Sequence, residues 1–315
     1  MYEEVVIPTH HTWNEYQLSR LMLGTAQLGL AYGVANTTGR PDFRQAVRLI
    51  AAAAEGGVNC FDTAAAYGDS EVVLGRVLSE LGLANSAVVV TKVRALRDEE
   101  LGNPRQAAAA IEKSVDQSRQ RLGLDCLPVV LFHREADAAY IDVLADLKRR
   151  GWLRFAGVSC DHQSETAHRL LAVEGVAAVQ LPGSMLDRRH QQGGVLQAAA
   201  ARGTPVFVRS VYLQGLLLMP EASVPEALRA VLPVRQALAA VVAASGIPLA
   251  ELAVRYMLAQ NGVACLVVGA ETAEQVQENI SMVQRGPLDA DLVAAVDAAI
   301  VDLPEAVITP RLWRT

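Results

Sequence analysis

The sequence predicts an α/β fold, a single (β/α)8 TIM barrel with its active site at the C-terminal ends of the strands. Short Val- and Leu-rich runs alternate eight times with Ala-rich amphipathic segments, and a length of 315 residues fits one such barrel. No Pro-, Gly- or Ser-rich linker divides the chain. We therefore expect one domain over residues 1–315, with the barrel proper at about 18–284 and a C-terminal helix and tail at 285–315.

The apolar runs have the length and composition of parallel strands that are buried under a helical layer. The predicted strands are Leu21–Leu23, Val58–Phe61, Val88–Thr91, Pro128–Phe132, Phe155–Val158, Ala177–Gln180, Pro205–Arg209 and Cys265–Val268. An open doubly wound sheet shows the same alternation, but such sheets usually carry a GxGxxG turn after the first strand. The segment Gly24–Leu30 has no such turn, which favours the barrel.

The segments between the runs are predicted helices, and several end at a glycine, the residue that most readily takes the left-handed conformation of a helix cap. These glycines are Gly56, Gly82, Gly123, Gly151 and Gly203. The predicted helices are Arg44–Glu55, Ser70–Leu81, Pro104–Leu122, Ala138–Arg150, Ser164–Leu171, Val195–Ala201, Pro225–Ala244 and Leu249–Ala259.

The composition excludes several classes of protein. With 28 Lys and Arg against 34 Asp and Glu, the net charge of −6 argues against a nucleic-acid partner, which requires a basic face. The longest apolar stretch, Ala237–Ala244, is too short to cross a bilayer, and the N-terminus has no secretory signal pattern. The four cysteines form no CxxC pair and the histidines no metal-binding spacing. We therefore expect a cytoplasmic protein without a metal site or a membrane partner.

Polar residues with complementary chemistry follow three successive predicted strands: Asp62 and Tyr67, then Lys92, then His133. In a barrel these ends lie on one face, so the four side chains can converge. An ammonium about 4 Å from a tyrosine hydroxyl stabilises the phenolate by ~4 kcal/mol at an effective dielectric near 20, and so lowers the tyrosine pKa. A carboxylate holds the lysine in place, and an imidazole donates a hydrogen bond to a substrate carbonyl.

The segments that carry these residues resemble the aldo-keto reductase family. The stretch Asp62–Gly75, with the sequence DTAAAYGDSEVVLG, is similar to that family's most distinctive segment. Lys92 and His133 fall on the next two strand ends, as in the family. Other segments that resemble it are Gly157–Ser159, Ser210 with Gln214–Leu217, and Val268–Asn279, and the match runs over Leu21–Gln284 without a missing element.

The resemblance implies an NAD(P)H-dependent oxidoreductase that reduces an aldehyde or ketone, a small or sugar-like carbonyl compound, to the alcohol. It implies Tyr67 as the general acid, Lys92 as the group that lowers its pKa, Asp62 as the partner of Lys92, and His133 as the residue that orients the carbonyl. The implied cofactor-binding residues are Gly24, Thr25, Asp62, Ser159, Gln180, Arg209, Ser210, Gln214, Gly269, Glu271, Gln275, Glu278 and Asn279. In this assignment Ser159 and Gln180 hold the nicotinamide carboxamide, Ser210 and Gln214 the pyrophosphate, and Glu278 and Asn279 the adenine.

The sequence departs from the family pattern at several of these positions. Cys160 stands where the family often has Asn, and Arg209 where it usually has an aromatic residue that stacks on the nicotinamide. Since a guanidinium repels the positively charged oxidised nicotinamide, we expect Arg209 to favour reduction. Many members hold the 2′-phosphate with Lys and Arg at the positions of Gly269 and Gln275, and Glu271 is suited to repel a phosphate or to bind a free ribose diol. NADPH is the expected cofactor, and NADH is the alternative.

Two further functions stay open from the sequence. One is an NAD-dependent alcohol or aldose dehydrogenase, and the other is a cofactor-binding regulatory subunit with little turnover. The complete set of Asp62, Tyr67, Lys92 and His133 argues against the regulatory subunit, because a pure binding module has no need of a general acid. We expect a monomer or weak oligomer with a small-molecule carbonyl substrate.

Overall fold

The strands of the computed structural model confirm the predicted barrel. The structure describes residues 9–31 and 39–313, and it begins with an antiparallel hairpin of β1 (His10–Trp13) and β2 (Tyr16–Ser19). Eight parallel strands then close into a barrel in the order β10-β3-β4-β5-β6-β7-β8-β9. They are β3 (Leu21–Gly24), β4 (Cys60–Asp62), β5 (Val88–Val93), β6 (Leu127–Phe132), β7 (Leu153–Ser159), β8 (Ala178–Pro182), β9 (Val206–Arg209) and β10 (Val263–Gly269).

Helices cover the outside of this barrel in the described ranges. They are α1 (Ala26–Gly29), α2 (Phe43–Glu55), α3 (Ser70–Glu80), α4 (Asp98–Leu101), α5 (Pro104–Leu122), α6 (Ile141–Arg149), α7 (Ser164–Leu171), α8 (Arg189–Gln192), α9 (Val195–Ala201), α10 (Leu232–Ser245), α11 (Leu249–Leu258), α12 (Ala273–Gln284), α13 (Ala290–Ala299) and α14 (Glu305–Ile308). Local caps fix several starts. In α2, Asp42 accepts from the Gln45 backbone N–H and the Gln45 side chain accepts from the Asp42 N–H, a complete capping box.

Two local predictions needed correction. The predicted helix Pro225–Ala244 divides into a 3-10 turn at Glu226–Val231 and α10, because Pro233 has no N–H to donate and fits only the first turn of an α-helix. Gly56 has φ −82° and does not take the left-handed conformation; Gly57, at +86°, does. The other four predicted cap glycines have positive φ.

The hydrophobic core lies in two layers. Inside the barrel, Met22, Cys60, Val90, Leu131 and Phe207 have no exposed surface. A larger outer layer joins the other faces of the strands to the helices, and every residue of β5 and β6 is buried because both faces are covered. The strand positions that carry chemistry are therefore held by packing on both sides.

The β1–β2 hairpin closes the N-terminal end of the barrel. Trp13, only 6% exposed, packs on Phe155 with ring centroids 4.3 Å apart, and Asn59 joins the hairpin to the start of β4 by accepting from the Ser19 backbone N–H at 2.9 Å. Because this end is plugged, a small molecule reaches the strand ends from the opposite, C-terminal face, where the loops converge.

One helical stretch in the described part of the chain, Glu226–Ser245, has the length and composition of a membrane span, at 20 residues and a mean hydropathy of 1.5. Within it, Val234 and Leu238 are buried in the outer core layer, and α10 lies against α13. We therefore assign this stretch to the helical layer of the barrel.

Candidate active site

A buried ion pair lies at the C-terminal end of the barrel. Asp62 is the last residue of β4 and Lys92 lies near the end of the neighbouring β5; their side chains are 6% and 1% exposed. Lys92 Nζ donates to Asp62 Oδ1 at 2.7 Å and to the Thr63 carbonyl at 2.9 Å. Gln180 Nε2, from β8 across the barrel, donates to the same Asp62 oxygen at 2.7 Å. The carboxylate is thus held from two sides.

The surroundings of Lys92 keep it charged. Burial by itself opposes the ammonium form and would lower the pKa of Lys92. Charge interactions and hydrogen bonds with Asp62 and Tyr67 outweigh burial and raise this pKa. A fixed positive charge therefore lies inside the barrel mouth at neutral pH.

Tyr67 and His133 lie beside this charge. Lys92 Nζ is 5.0 Å from the Tyr67 ring centroid, and the Tyr67 and His133 rings meet edge to face with centroids 5.6 Å apart and an interplanar angle of 85°. Burial, together with the positive charges of Lys92 and Arg209, lowers the pKa of His133 to about 3. His133 is therefore a neutral imidazole, which offers one N–H to a substrate oxygen.

Hydroxyl groups behind the site fix the loop that carries Tyr67. Thr25 Oγ1 donates to the Asp62 carbonyl at 2.8 Å, and Ser70 Oγ donates to the Thr25 carbonyl at 2.7 Å. At Gly29 a Cβ atom would lie 1.7 Å from the Tyr67 carbonyl oxygen, so only glycine lets α1 approach the tyrosine backbone this closely. The position of Tyr67 thus depends on tight backbone packing.

A cavity of about 350 Å³ opens from these residues toward the loops after β9 and β10. Its wall includes nine of the residues that the sequence predicted for the site: Gly24, Asp62, Tyr67, Arg209, Ser210, Gln214, Gly269, Glu271 and Gln275. The remainder of the wall is mostly apolar, with Val211, Leu218 and Met219 among its members. The cavity joins the buried ion pair to the N-terminus of α12 in one continuous space.

Comparison with known proteins then assigns the chain to a family. The family model described as the aldo/keto reductase family matches residues 20–301. The chain belongs to this family. The relative named NADH-specific methylglyoxal reductase of Escherichia coli K12 is 29% identical over 310 residues, which cover 87% of this chain and 92% of that protein.

Other matches agree with the family and the fold. The aldo-keto reductase str7 of Strobilurus tenacellus is 27% identical over 203 residues, or 62% of this chain, and the match spans 57% of the length of str7. Among solved structures, the holo form of an aldo-keto reductase from Bacillus halodurans has a TM-score of 0.76 at 24% identity and covers 96% of this chain and 98% of its own. At that identity the solved structure supports the fold.

Several predicted cofactor residues of this aldo-keto reductase lie outside the cavity wall. Thr25 and Gln180 are at most 1% exposed and their side chains hold Asp62. Ser159 is 4% exposed at the end of β7, and Asn279 accepts from the Tyr212 hydroxyl at 3.3 Å. Glu278 is on the exposed face of α12. The structure therefore brings together the catalytic set and the loops after β9 and β10, and it leaves the predicted adenine contacts at the edge.

One buried atom fits a nicotinamide carboxamide. Gln180 Oε1 is shielded from solvent and has no hydrogen-bond partner among the described residues, whereas its Nε2 is bound to Asp62. A buried acceptor without a donor is costly, and a carboxamide NH2 supplies the missing donor. The residues present therefore fit the nicotinamide cofactor that the family uses.

The loop after β9 carries an unusual backbone. Ser210, Leu213 and Gln214 all have positive φ, at 66°, 49° and 52°, values that non-glycine residues rarely adopt. Such conformations cluster at ligand sites, where the surrounding structure fixes them. Here Ser210 and Gln214 line the cavity.

Gln27 is a wall residue that the sequence prediction missed. Its side chain lies against Gly269, where a Cβ atom would come within 2.0 Å of Gln27 Nε2. The absence of a side chain at Gly269 thus makes room for Gln27 between the ends of β3 and β10. Its position shortly after the first strand, at the functional end of the barrel, was the available signal.

Proposed function

We propose that this protein reduces an aldehyde or ketone to the alcohol with NADPH, and that Tyr67 is its general acid. The observation that carries the proposal is the buried Lys92–Asp62 pair beside the Tyr67 ring, at the inner end of the cavity. The ammonium stabilises the negative charge that develops on the Tyr67 oxygen as it gives up its proton. Asp62 holds Lys92 charged and in place.

His133 orients the substrate in this proposal. As a neutral imidazole it donates an N–H to the carbonyl oxygen, and its pKa of about 3 keeps it from competing with Tyr67 as a proton source at neutral pH. A dihydronicotinamide held by Ser159 and Gln180 would supply the hydride for the carbonyl carbon. Tyr67 then delivers the proton to the carbonyl oxygen, so the two additions complete the alcohol.

The proposed cofactor site follows the cavity and its buried rim. Ser159 and the unpaired Oε1 of Gln180 hold the carboxamide, while Ser210 and Gln214 hold the pyrophosphate. Gly24, Thr25 and Gly269 form the adjoining wall and its support, and Glu278 and Asn279 are the proposed adenine contacts. Apart from Arg209, no described residue of the cavity wall carries a positive charge.

NADH is the second candidate cofactor, and one observation favours it. Glu271 lines the cavity at its α12 end, and Gln275 is engaged in accepting from the Glu271 backbone N–H at 2.8 Å. A carboxylate disfavours a 2′-phosphate and suits a free ribose diol. The relative named as an NADH-specific methylglyoxal reductase is consistent with this candidate.

The proposal also includes the direction of the reaction, the cellular location and the oligomeric state. Arg209 disfavours the oxidised nicotinamide by charge repulsion, which supports reduction over the alternative of an alcohol or aldose dehydrogenase. The intact catalytic set supports an enzyme over a regulatory subunit. We place the enzyme in the cytoplasm as a monomer or weak oligomer.

The proposal is tested with purified protein by fluorescence titration with NADPH and with NADH, followed by turnover of a generic aldehyde with each. Saturable binding of a reduced cofactor, followed by its oxidation only when the aldehyde is present, is the expected result. Binding of neither cofactor would overturn the proposal. Binding without turnover of any aldehyde or ketone would instead support the regulatory subunit.

A further inference from the structure

Tyr212 joins the loop after β9 to helix α12. It is the third residue beyond β9, and it lines the wall of the active-site cavity. Its hydroxyl donates to Asn279 Oδ1 on α12 at 3.3 Å and lies 3.8 Å from Met282 Sδ on the same helix. Because a thioether sulfur is only a weak acceptor, Asn279 is the principal partner of this hydroxyl.

The backbone of the loop is fixed around Tyr212. The Tyr212 carbonyl accepts from the Gly215 N–H at 3.0 Å and from the Leu217 N–H at 3.3 Å. Between Tyr212 and Gly215, both Leu213 and Gln214 have positive φ, a conformation that non-glycine residues rarely adopt. A turn closed by two bonds to one carbonyl fixes the direction in which the Tyr212 side chain leaves the backbone. The side chain is therefore held toward α12.

The Tyr212 hydroxyl also orients the amide of Asn279, a residue that is 7% exposed. A side-chain amide has an oxygen that accepts and an NH2 group that donates two hydrogen bonds. Oδ1 is occupied by Tyr212, and no described residue bonds to Nδ2, so the NH2 group is the end left for a ligand. Burial, and to a lesser degree the charge of Glu278, raises the pKa of Tyr212, so the hydroxyl stays protonated and remains a donor.

We propose that Tyr212 is a positioning residue for the cofactor, which acts by holding Asn279 with its NH2 group free to donate to the adenine base. This inference rests on the proposed reductase function and on the proposed adenine contacts, Glu278 and Asn279. Adenine carries ring nitrogens that accept and a 6-amino group that donates. The NH2 group of Asn279 therefore suits a ring nitrogen, and the Glu278 carboxylate suits the amino group. An amide that is already oriented loses less freedom when the cofactor binds.

The test measures the dissociation constants of NADPH and NADH by fluorescence titration for the wild type, Tyr212→Phe, Asn279→Ala and the double variant. Tyr212→Phe keeps the ring but loses the donor, and it is expected to raise each constant by about 3- to 10-fold, the range for one neutral hydrogen bond. Asn279→Ala is expected to raise each constant at least as much. The double variant is expected to bind no more weakly than Asn279→Ala, because Tyr212 acts through Asn279.

Turnover of a generic aldehyde by Tyr212→Phe is expected to show the loss in KM for the cofactor rather than in kcat. Tyr140→Phe, which loses a hydroxyl bonded to the Leu101 carbonyl outside the cavity, is the matched control and should bind both cofactors as the wild type does. Asn279→Asp keeps an acceptor for Tyr212 but has no N–H, so it is expected to bind both cofactors more weakly.

Three results would overturn the inference while leaving the reductase proposal intact. They are unchanged dissociation constants in Tyr212→Phe, effects of Tyr212→Phe and Asn279→Ala that add in the double variant, and wild-type affinity in Asn279→Asp. The first two would show that Tyr212 does not act through Asn279, and the third that Asn279 does not donate to the base. Binding of neither cofactor by the wild type would overturn both proposals.

Discussion

Lys92 Nζ lies 2.7 Å from Asp62 Oδ1, and both side chains are almost wholly excluded from solvent. Two neighbouring strands of the barrel, β4 and β5, thus present opposite charges to each other beneath the cavity. Removing one member of a buried pair leaves an uncompensated charge, whereas removing both does not. The pair is therefore a structural element as well as the support of Tyr67.

The variant Lys92→Met is expected to lose turnover and also about 3–5 kcal/mol in the free energy of unfolding, because Asp62 is left buried without its counter-charge. Urea unfolding followed by circular dichroism measures the stability. The double variant Asp62→Leu/Lys92→Met is expected to recover most of the stability but none of the turnover. Lys113→Met, at an exposed position of α5, is the matched control and is expected to behave as the wild type.

His133 gives the stability of the protein a pH dependence. In the unfolded chain this imidazole takes up a proton below a pKa of about 6.5, but the folded protein does so only below about 3, mainly because of burial. The free energy of unfolding therefore falls as the pH drops below 6.5. The share of this loss of stability that comes from His133 is about 2 kcal/mol between pH 7.5 and pH 5. Above pH 6.5 this share is constant.

Urea unfolding of the wild type and of His133→Gln at pH 7.5 and pH 5 measures that share. The variant is expected to lose less stability on acidification than the wild type. His10→Gln, in the hairpin at the opposite end of the barrel, is the control. Equal losses in wild type and His133→Gln would show that His133 is protonated in the folded protein near its ordinary pKa.

Gly29 is expected to tolerate no side chain, because its Cβ would meet the Tyr67 carbonyl oxygen at 1.7 Å and the Ser70 nitrogen at 2.5 Å, both backbone atoms. Gly29→Ala should lower the free energy of unfolding by about 1–3 kcal/mol and displace Tyr67. Turnover should fall at least about 10-fold, since misplacement of a reacting group is costly. Gly102→Ala, whose Cβ meets nothing closer than 3.8 Å, is the matched control; an active, stable Gly29→Ala would contradict the packing described.

Glu271 is expected to set the choice between the two cofactors. Replacing it by Gln removes a negative charge from the α12 end of the cavity, so the dissociation constant for NADPH should fall relative to that for NADH. Fluorescence titration of the wild type and of Glu271→Gln with both cofactors measures the ratio of the two dissociation constants. Glu274→Gln, in the first turn of α12 and outside the cavity wall, is the control. A ratio that is the same in Glu271→Gln and the wild type would remove Glu271 from the account of cofactor choice.

Much of the fold was predictable because the strands of a parallel barrel are largely buried on both faces, as β5 and β6 are, and therefore appear in the sequence as short apolar runs between helical segments. Boundaries were less predictable. The second barrel strand was predicted to end at Phe61, but β4 ends at Asp62, because Asp62 pairs with Val90 of the neighbouring strand β5. Such pairing partners are set by the closed sheet. The start of α10 depends on Pro233, which fits only the first turn of an α-helix, and this local effect can be read from the sequence.

The candidate site was predictable where chemistry sits at strand ends, as for Asp62, Lys92 and Gln180. Which of the predicted residues line the cavity, and which support it from behind, was not predictable. The Thr25 hydroxyl and the Gln180 amide both support Asp62. Thr25 is 37 positions from Asp62 in the sequence and Gln180 is 118 positions from it, so only the closed barrel creates these contacts. The approach of Gln27 to Gly269 is of the same kind.

The most direct test of the central claim is the turnover of a generic aldehyde by Tyr67→Phe, measured together with cofactor binding. We expect turnover to fall by about 10²- to 10⁴-fold, the range for loss of a general acid, while fluorescence titration shows the cofactor still bound. Tyr140→Phe, whose hydroxyl bonds the Leu101 carbonyl outside the cavity, should retain activity. Wild-type turnover in Tyr67→Phe would contradict the assignment of Tyr67 as the proton donor.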